Sequence, residues 1–313
     1  MKWRVLLSAP YAMPHLDWYR SQLASGDCEM VVADVRERLS EEELLPIIGD
    51  VDGLICGDDR VTDRVLEAAP RLKVISKWGT GIDSIDQDAA RRRGVAVRNT
   101  PNAFSEPVAD TAMGYTLLFA RQLDRMTAEI RAGRWEKPQL LSLREWTMGV
   151  VGVGNCGTAV VRRAAAFGMK LLGHDLVDLP ADFVAATGIE MVTLPELLGR
   201  ADVVTLHTSL GPTSHHLMND QTLALMKPGA FLINTSRGPV VEEAALVRAL
   251  ASGHLGGVAL DVFEAEPLPA ASDLRQFSNC HFAPHNANSS PAAAQRVHEN
   301  TLRNLFTELR ARG

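Results

Sequence analysis

Short apolar runs alternate with amphipathic stretches along almost the whole chain. In the first third, Trp3–Ala9, Glu29–Ala33, Gly53–Cys56, Leu72–Ser76 and Val95–Arg98 read as strands. They are largely apolar instead of alternating, as strands covered on both faces require. Helical stretches at Pro14–Ala24, Glu41–Ile48, Asp63–Ala68 and Ile85–Arg93 separate them. Five strands with four crossovers predict a small open α/β sheet. A longer helix follows over Ser105–Arg121. Its apolar residues, among them Val108, Ala112, Met113, Tyr115, Leu117, Leu118 and Phe119, wrap around much of the helix. That predicts burial on more than one side, as at a domain junction or a subunit interface.

A second series begins at Met148. Its predicted strands are Met148–Gly152, Lys170–His174, Glu190–Val192, Val203–His207, Ala230–Thr235, Gly257–Asp261 and Cys280–Ala283, with helices such as Cys156–Phe167 and Glu242–Ser252 between them. This is enough for a doubly wound parallel sheet. Pro291–Arg310 reads as a closing helix.

The totals narrow the function classes. A chain of 313 residues, 46% hydrophobic and 22% charged, suits a soluble protein of two domains. A net charge of -6 argues against a nucleic-acid surface. Met1-Lys2-Trp3-Arg4 runs into an apolar stretch too short for a signal sequence or a membrane span, so a cytoplasmic protein is expected. Cys28, Cys56, Cys156 and Cys280 are far apart and form no CxxC pair, and no metal site is expected from them or from the histidines.

Gly152-Val153-Gly154-Asn155-Cys156-Gly157 fits GxGxxG. The first glycine permits the tight turn, the second lets a pyrophosphate approach the backbone, and the third lets the helix pack on the strand. With 24 glycines in the chain such a match arises by chance about 0.15 times, so context carries the argument. A strand precedes the loop and an amphipathic helix follows it. The next strand ends in Asp175, an acid placed to accept the ribose hydroxyls of NAD and to repel the extra phosphate of NADP. Cys156 opens the helix, where a thiolate would be stabilised; it reads as a small packing residue in the phosphate loop, with a redox switch as the alternative.

Three later strands lead into residues with acid–base or anion-binding chemistry: Arg237, Glu266 and His285. In an open parallel sheet such strand ends line the ligand crevice. Reduction of a keto group needs a proton donor at the oxygen, which a histidine supplies near neutral pH. A neighbouring carboxylate favours imidazolium and orients the ring. An arginine binds a carboxylate and stays charged.

These segments together resemble the D-isomer-specific 2-hydroxyacid dehydrogenase family. The likeness runs from about Leu72 to Asn304 and is carried by KWGTGIDSID (77–86), NTPNAFSEPVADTA (99–112), GVVGVGNCG (149–157), FGMKLLGHD (167–175), ADVVTLHTSLGPTSHHLMN (201–219), MKPGAFLINTSRGPVVEEAAL (226–246), ALDVFEAEP (259–267) and APHNANSS (283–290). The central segments are nearest the phosphoglycerate dehydrogenase-like members.

The resemblance implies a Rossmann doubly wound sheet over 101–289, inserted into a smaller flavodoxin-like α/β substrate domain made of 1–100 and 290–313. It implies hydride transfer between NAD and a small 2-keto or 2-hydroxy acid, with Arg237, Glu266 and His285 catalytic and His285 as acid/base. Cofactor contacts implied are Gly152, Gly154, Asn155, Cys156, Gly157, Asp175, His207, Thr208, Thr235, Ser236, Arg237, Asp261, His285 and Asn288. Substrate contacts implied are Lys77, Trp78, Gly79, Thr80 and Asn102, together with Arg237 and His285. The turn at Lys77–Gly81 is similar to the family's carboxylate-binding loop, where backbone N–H groups make an anion nest. A homodimer built around Ser105–Arg121 is implied as well.

Two departures bear on the substrate. Trp78 stands where the family commonly has a small residue, and Asn286 and Asn288 stand where it more often has apolar or small ones. The loop Ala9–Pro14 is expected to face the ligand cleft, with Tyr11 as a further contact. Two other readings stay open at this point: an NAD-sensing corepressor-like binding protein, and a formate- or phosphonate-type oxidoreductase on the same fold.

Overall fold

The unbroken apolar runs become buried strands, and every strand pair among the described residues is parallel. The computed structural model describes residues 3–312; Met1, Lys2 and Gly313, on which part of the leader-sequence expectation falls, lie outside the described residues. The chain divides into two compact units, Met1–Ala103 with Ser290–Gly313, and Phe104–Ser289.

The first unit holds β1 (Trp3–Leu7), α1 (Leu16–Ser25), β2 (Cys28–Val32), α2 (Glu41–Leu44), β3 (Gly53–Cys56), α3 (Asp63–Glu67), β4 (Val74–Lys77), α4 (Gln87–Arg92) and β5 (Ala96–Arg98). Its strand order, β2-β1-β3-β4-β5, is the flavodoxin-like order. The C-terminal helix, Pro291–Arg310, returns to this unit and buries Val297, Leu302, Leu305 and Leu309. Gly53 lets it come close, since a Cβ there would lie 2.8 Å from Leu305 Cδ1.

Element edges follow local chemistry. Helix α4 starts at Gln87, two residues later than predicted, because the Asp86 side chain caps it by accepting from Ala89 N–H. Helix α2 ends at Leu44 and does not reach Ile48, because Pro46 brings no N–H to a helical ladder. The predicted loop Ala9–Pro14 is instead a 3-10 helix over Pro10–His15, and α1 begins only at Leu16. Prolines at 10 and 14 suit such a tight, short turn better than a continuous α-helix.

The second unit holds α5 (Ser105–Arg121), α6 (Leu123–Arg131), β6 (Thr147–Val151), α7 (Asn155–Ala166), β7 (Lys170–His174), α8 (Ala181–Thr187), β8 (Glu190–Met191), α9 (Leu194–Arg200), β9 (Val203–Leu206), α10 (Asp220–Ala224), β10 (Phe231–Asn234), α11 (Glu243–Ala251), β11 (Gly257–Leu260) and β12 (Cys280–Phe282). Its seven-stranded order is β12-β11-β10-β9-β6-β7-β8. Read from β8, this is the Rossmann order with β12 added at one edge. The fold class is thus α/β, with a five-stranded sheet and a Rossmann sheet inserted in its chain.

Helix α5 differs from the sequence expectation. Its buried positions, Ser105, Val108, Ala109, Ala112, Met113, Thr116, Phe119 and Ala120, fall on one stripe. Tyr115, Leu117 and Leu118 are only half-buried. It packs on α7, while Gln122, with φ 46, turns the chain sharply into α6. No helix among the described residues is long and apolar enough to cross a membrane.

Candidate active site

The site in the second unit is built at the carboxyl ends of β6, β7, β9, β10, β11 and β12. The three glycines of the loop after β6 each have a separate steric reason. Gly152 takes φ +86, and a Cβ on it would lie 2.8 Å from the His207 carbonyl. A Cβ on Gly157 would lie 2.1 Å from Gly152 O, so this glycine sets the closeness of α7 to the loop. Gly154 is exposed, and a Cβ there would meet nothing within 4 Å. Gly154 and the exposed Asn155 therefore present open backbone at the start of α7, whose first N–H groups have no partner within the helix.

Asp175 closes the loop from the side of β7. Its Oδ2 accepts from Val153 N–H at 2.6 Å and its Oδ1 from Val177 N–H at 3.1 Å. Along the next strand ends, His207 Nδ1, Thr208 Oγ1 and Thr235 Oγ1 are shielded polar atoms without a partner among the described residues. Buried polar atoms ordinarily find a partner. Here they line the strand ends that follow the glycine loop, and a dinucleotide with its ribose hydroxyls, phosphates and amide is the kind of group that satisfies them. His207 Nε2 meets Thr205 Oγ1 at 2.9 Å, and burial pushes the imidazole down to about 4. The ring is a neutral polar contact at neutral pH.

The acid–base constellation forms beyond β11 and β12. His285 Nδ1 lies 3.0 Å from Glu266 Oε2, and Glu266 Oε1 accepts from Phe263 N–H at 3.0 Å. Both side chains are partly open, 24% for His285 and 17% for Glu266. His285 takes φ 50, a left-handed conformation that a non-glycine residue holds only when its surroundings impose it. Asp261 imposes it. Its backbone carbonyl accepts from His285 N–H at 2.7 Å, and its carboxylate accepts from Asn286 and Ala287 N–H at 2.8 and 2.9 Å. Asp261 is buried, and burial raises its carboxyl above the usual range against the pull of those N–H groups. Asn286 points from an exposed position, and Asn288 is half-buried.

Arg237 is held by a residue that sequence reasoning passed over. The Asn234 side chain, at the end of β10, accepts from Ser236 N–H and Oγ–H and donates to Arg237 O at 2.9 Å. The following Gly238 packs against the backbone of Phe263 and Glu264, where a Cβ would be 1.9 Å from Phe263 O. This seats Arg237 beside the segment that carries Glu266. Arg237 Nη1 donates to Ser236 O at 2.9 Å. The signal was an Asn just ahead of Thr-Ser-Arg-Gly, a residue type that ties turns through its side chain.

Cys156 is not an activated thiolate. Burial raises its pKa above the ordinary thiol value despite its place in the first turn of α7, and its Sγ lies 3.8 Å from Ser105 Oγ. His216 pairs with Glu264 at 2.7 Å. Among the described residues no three His, Cys, Asp or Glu side chains gather to hold a metal ion. A surface hollow of about 530 Å³ lined by Thr147, Lys170 and Arg200 lies at the opposite, amino ends of β6 and β7.

In the first unit, the turn after β4 orients its carbonyls inward. Gly79 O accepts from Thr100 N–H and Oγ–H, both at 2.9 Å, and Thr80 O accepts from Asn99 Nδ2. Gly79 has φ +123, and the N–H groups of Gly79 and Thr80 have no acceptor among the described residues. Successive amides with tied-back carbonyls make an anion nest. Trp78 and Lys77 are both buried, whereas Asn102 is exposed with φ 59.

Comparison with known proteins places this geometry. Residues 113–287 match the family "D-isomer specific 2-hydroxyacid dehydrogenase, NAD binding domain". The chain is 39% identical over 291 residues to a glyoxylate reductase of Thermofilum pendens, covering 90% of this chain and 86% of that protein. It is also 39% identical over 283 residues to the D-3-phosphoglycerate dehydrogenase of Rattus norvegicus, covering 90% of this chain but only 52% of that longer protein. Among solved structures, D-lactate dehydrogenase from Aquifex aeolicus complexed with NAD and lactic acid superposes with a TM-score of 0.90 at 27% identity, covering 98% of this chain and 96% of that one.

Proposed function

The chain belongs to the D-isomer specific 2-hydroxyacid dehydrogenase family as an NAD-dependent oxidoreductase, and we propose that it reduces a small 2-keto acid with His285 as proton donor. The observation that carries the assignment is the His285–Glu266 pair, 3.0 Å apart, on a loop pinned by Asp261 in the same sheet as the glycine loop. When bound, the reduced nicotinamide supplies the hydride that the keto carbon receives. Gly154 and the start of α7 would hold the pyrophosphate, Asp175 the ribose, and Thr208, Thr235 and His207 the remaining polar atoms.

His285 donates a proton from Nε2 to the keto oxygen as that oxygen gains negative charge. Glu266 holds Nδ1, which fixes the ring's orientation and stabilises the imidazolium that the reduction consumes. In the reverse direction the neutral ring removes the hydroxyl proton. Arg237 binds the substrate carboxylate and polarises the carbonyl. In the first unit, the amides of Gly79 and Thr80 form an anion nest of their own, and Asn102 is an exposed neutral polar group.

The test is NADH oxidation against glyoxylate, hydroxypyruvate and pyruvate, in the wild type and in His285→Ala. The wild type turns over at least one of them. His285→Ala loses about 100-fold or more in kcat while its NADH affinity, read by fluorescence, is retained. Near-normal turnover of the variant would remove His285 from the acid/base role. Absence of turnover with every keto acid would sink the reductase reading. We further propose that the chain works as a homodimer, for which the exposed apolar residues of α6 are the supporting feature.

A further inference from the structure

The loop that carries Glu266 is gripped from the start of α11. We propose that Glu243 is a positioning residue for the acid–base pair: it fixes the Phe263–Glu264 peptide and, through it, the reach of Glu266 to His285. This rests on the reductase reading above and deepens it by one residue.

The first observation is a set of contacts that converge on residues 263 and 264, all within the second unit. Phe263 N–H donates to Glu266 Oε1 at 3.0 Å, and the next amide, Glu264 N–H, donates to Glu243 Oε1 at 2.7 Å. Gly238 lies against the same peptide, and the Glu264 side chain pairs with His216 Nε2 at 2.7 Å. Glu266 and Glu243 thus bind successive amides of one turn. Glu266 closes that turn on itself, and Glu243 ties it to a helix. Helix α11 is anchored in turn, since it buries Ala245, Leu246 and Leu250. A group carried on a loop keeps its geometry better when a regular element holds the loop. Glu266, whose Oε2 lies 3.0 Å from His285 Nδ1, is such a group.

The second observation sets Glu243 apart from an ordinary acid at a helix start. Such acids favour the helix dipole with the side chain in water. Glu243 is half-buried, and its oxygen accepts from an amide 21 residues further on. Burial raises its carboxyl above the usual range against the pull of that N–H, and the charges of Glu264 and Glu266 add to the rise. The other titratable groups around the turn are His216, paired with Glu264, and Asp261, beside His285. A place next to two more carboxylates adds nothing to the stability of α11. It gives the Glu266 loop its tie.

Keto-acid reduction with NADH, followed across pH, tests the role. Glu243→Ala removes the tie and should lower kcat by about 10-fold, with KM and NADH affinity little changed, as a loss of reacting geometry does. Reduction consumes the imidazolium proton, so activity falls above the His285 pKa. A less firmly held Glu266 supports the imidazolium less, and the alkaline limb of kcat/KM should move down by about half a pH unit or more. Glu243→Gln keeps an oxygen for Glu264 N–H and should restore most of kcat and the limb. Glu242→Ala removes the neighbouring acid, which pairs with Arg248 at 3.5 Å, and should change neither. A Glu243→Ala enzyme with wild-type kcat and limb overturns the proposal. So does a Gln variant as impaired as Ala, or a Glu242→Ala variant that matches it. If the wild type reduces none of the keto acids, the reductase reading falls by itself. The tie is then read from the His285 imidazole titration by NMR, with the signal identified by its loss in His285→Ala. A lower His285 pKa in Glu243→Ala upholds the tie, and an unmoved one overturns it.

Discussion

At the residue scale, Asp175 joins two functions that can be separated by measurement. Its carboxylate accepts from Val153 and Val177 N–H, so it braces the glycine loop, and the proposed function gives it the ribose hydroxyls as well. Asp175→Ala should raise the KM for NADH through loss of the brace. It should also move the NADH-over-NADPH preference by about 10-fold or more, because an adenosine 2′-phosphate is no longer repelled. Steady-state kinetics with both cofactors decides it; a weaker enzyme with an unchanged preference means that another residue reads the ribose. The glycines and Asp175 were legible in the sequence because their constraints are local: a turn, a close approach, an acid at a strand end. The tasks of Asn234 and Asp261 were missed. Asp261 acts by binding the backbone of a loop that returns to it across 25 residues at Asn286, and spacing does not reveal that return, whereas Asn234 ties a local turn whose signal was present and passed over. The burial that raises the Cys156 thiol is hidden for a related reason, since position in a helix is visible in sequence and desolvation is not.

At the element scale, the C-terminal helix is tied to the first unit by a buried aromatic network as well as by its apolar face. His298 Nδ1 receives Tyr19 Oη–H at 2.7 Å and Trp78 Nε1–H at 2.9 Å, so the ring is neutral with its proton on Nε2. Burial, with His15 adding to it, lowers the pKa from 6.5 to about 4. A depressed histidine pKa means that the unfolded chain binds the proton more readily. The stabilisation is complete above pH 6.5 and declines as pH falls towards about 4. His298→Asn should cost about 1–3 kcal/mol at neutral pH, and the gap to wild type should narrow through that acid window. Urea unfolding followed by tryptophan fluorescence at both ends of the window reads this; a gap that stays constant would mean that His298 does not titrate with folding. Most elements were legible because parallel strands and their crossovers carry strong apolar contrast, and each described strand overlaps a predicted one, although β8 is exposed and β2, β5 and β12 are only partly buried. Helix α6 was missed. Its stripe of Leu123, Met126 and Ile130 is short, and none of its residues is buried, so burial contributes nothing to its pattern.

At the scale of the whole molecule, that unburied stripe becomes the argument for self-association. Leu123 and Ile130 are 55% and 51% exposed, and Trp135, on the stretch after α6, is 78% exposed. Ile130 and Trp135, with Met126 and Arg125, line a hollow of about 140 Å³. Burying such side chains stabilises by about 1.5–3 kcal/mol each, and contiguous exposed apolar surface of this kind marks an interaction site. A two-fold pairing would bring the same patch from each copy together, so one substitution acts twice at the interface. The resemblance implies a dimer built around α5; the exposed apolar residues of α6, which directly follows α5, extend that proposed contact. Light scattering should give twice the chain mass for the wild type. Ile130→Lys with Trp135→Ser should give a monomer that retains the parallel-sheet circular dichroism, because neither residue belongs to a core. A wild type that is monomeric at micromolar concentration, or a double variant that still pairs, would end the case for this surface.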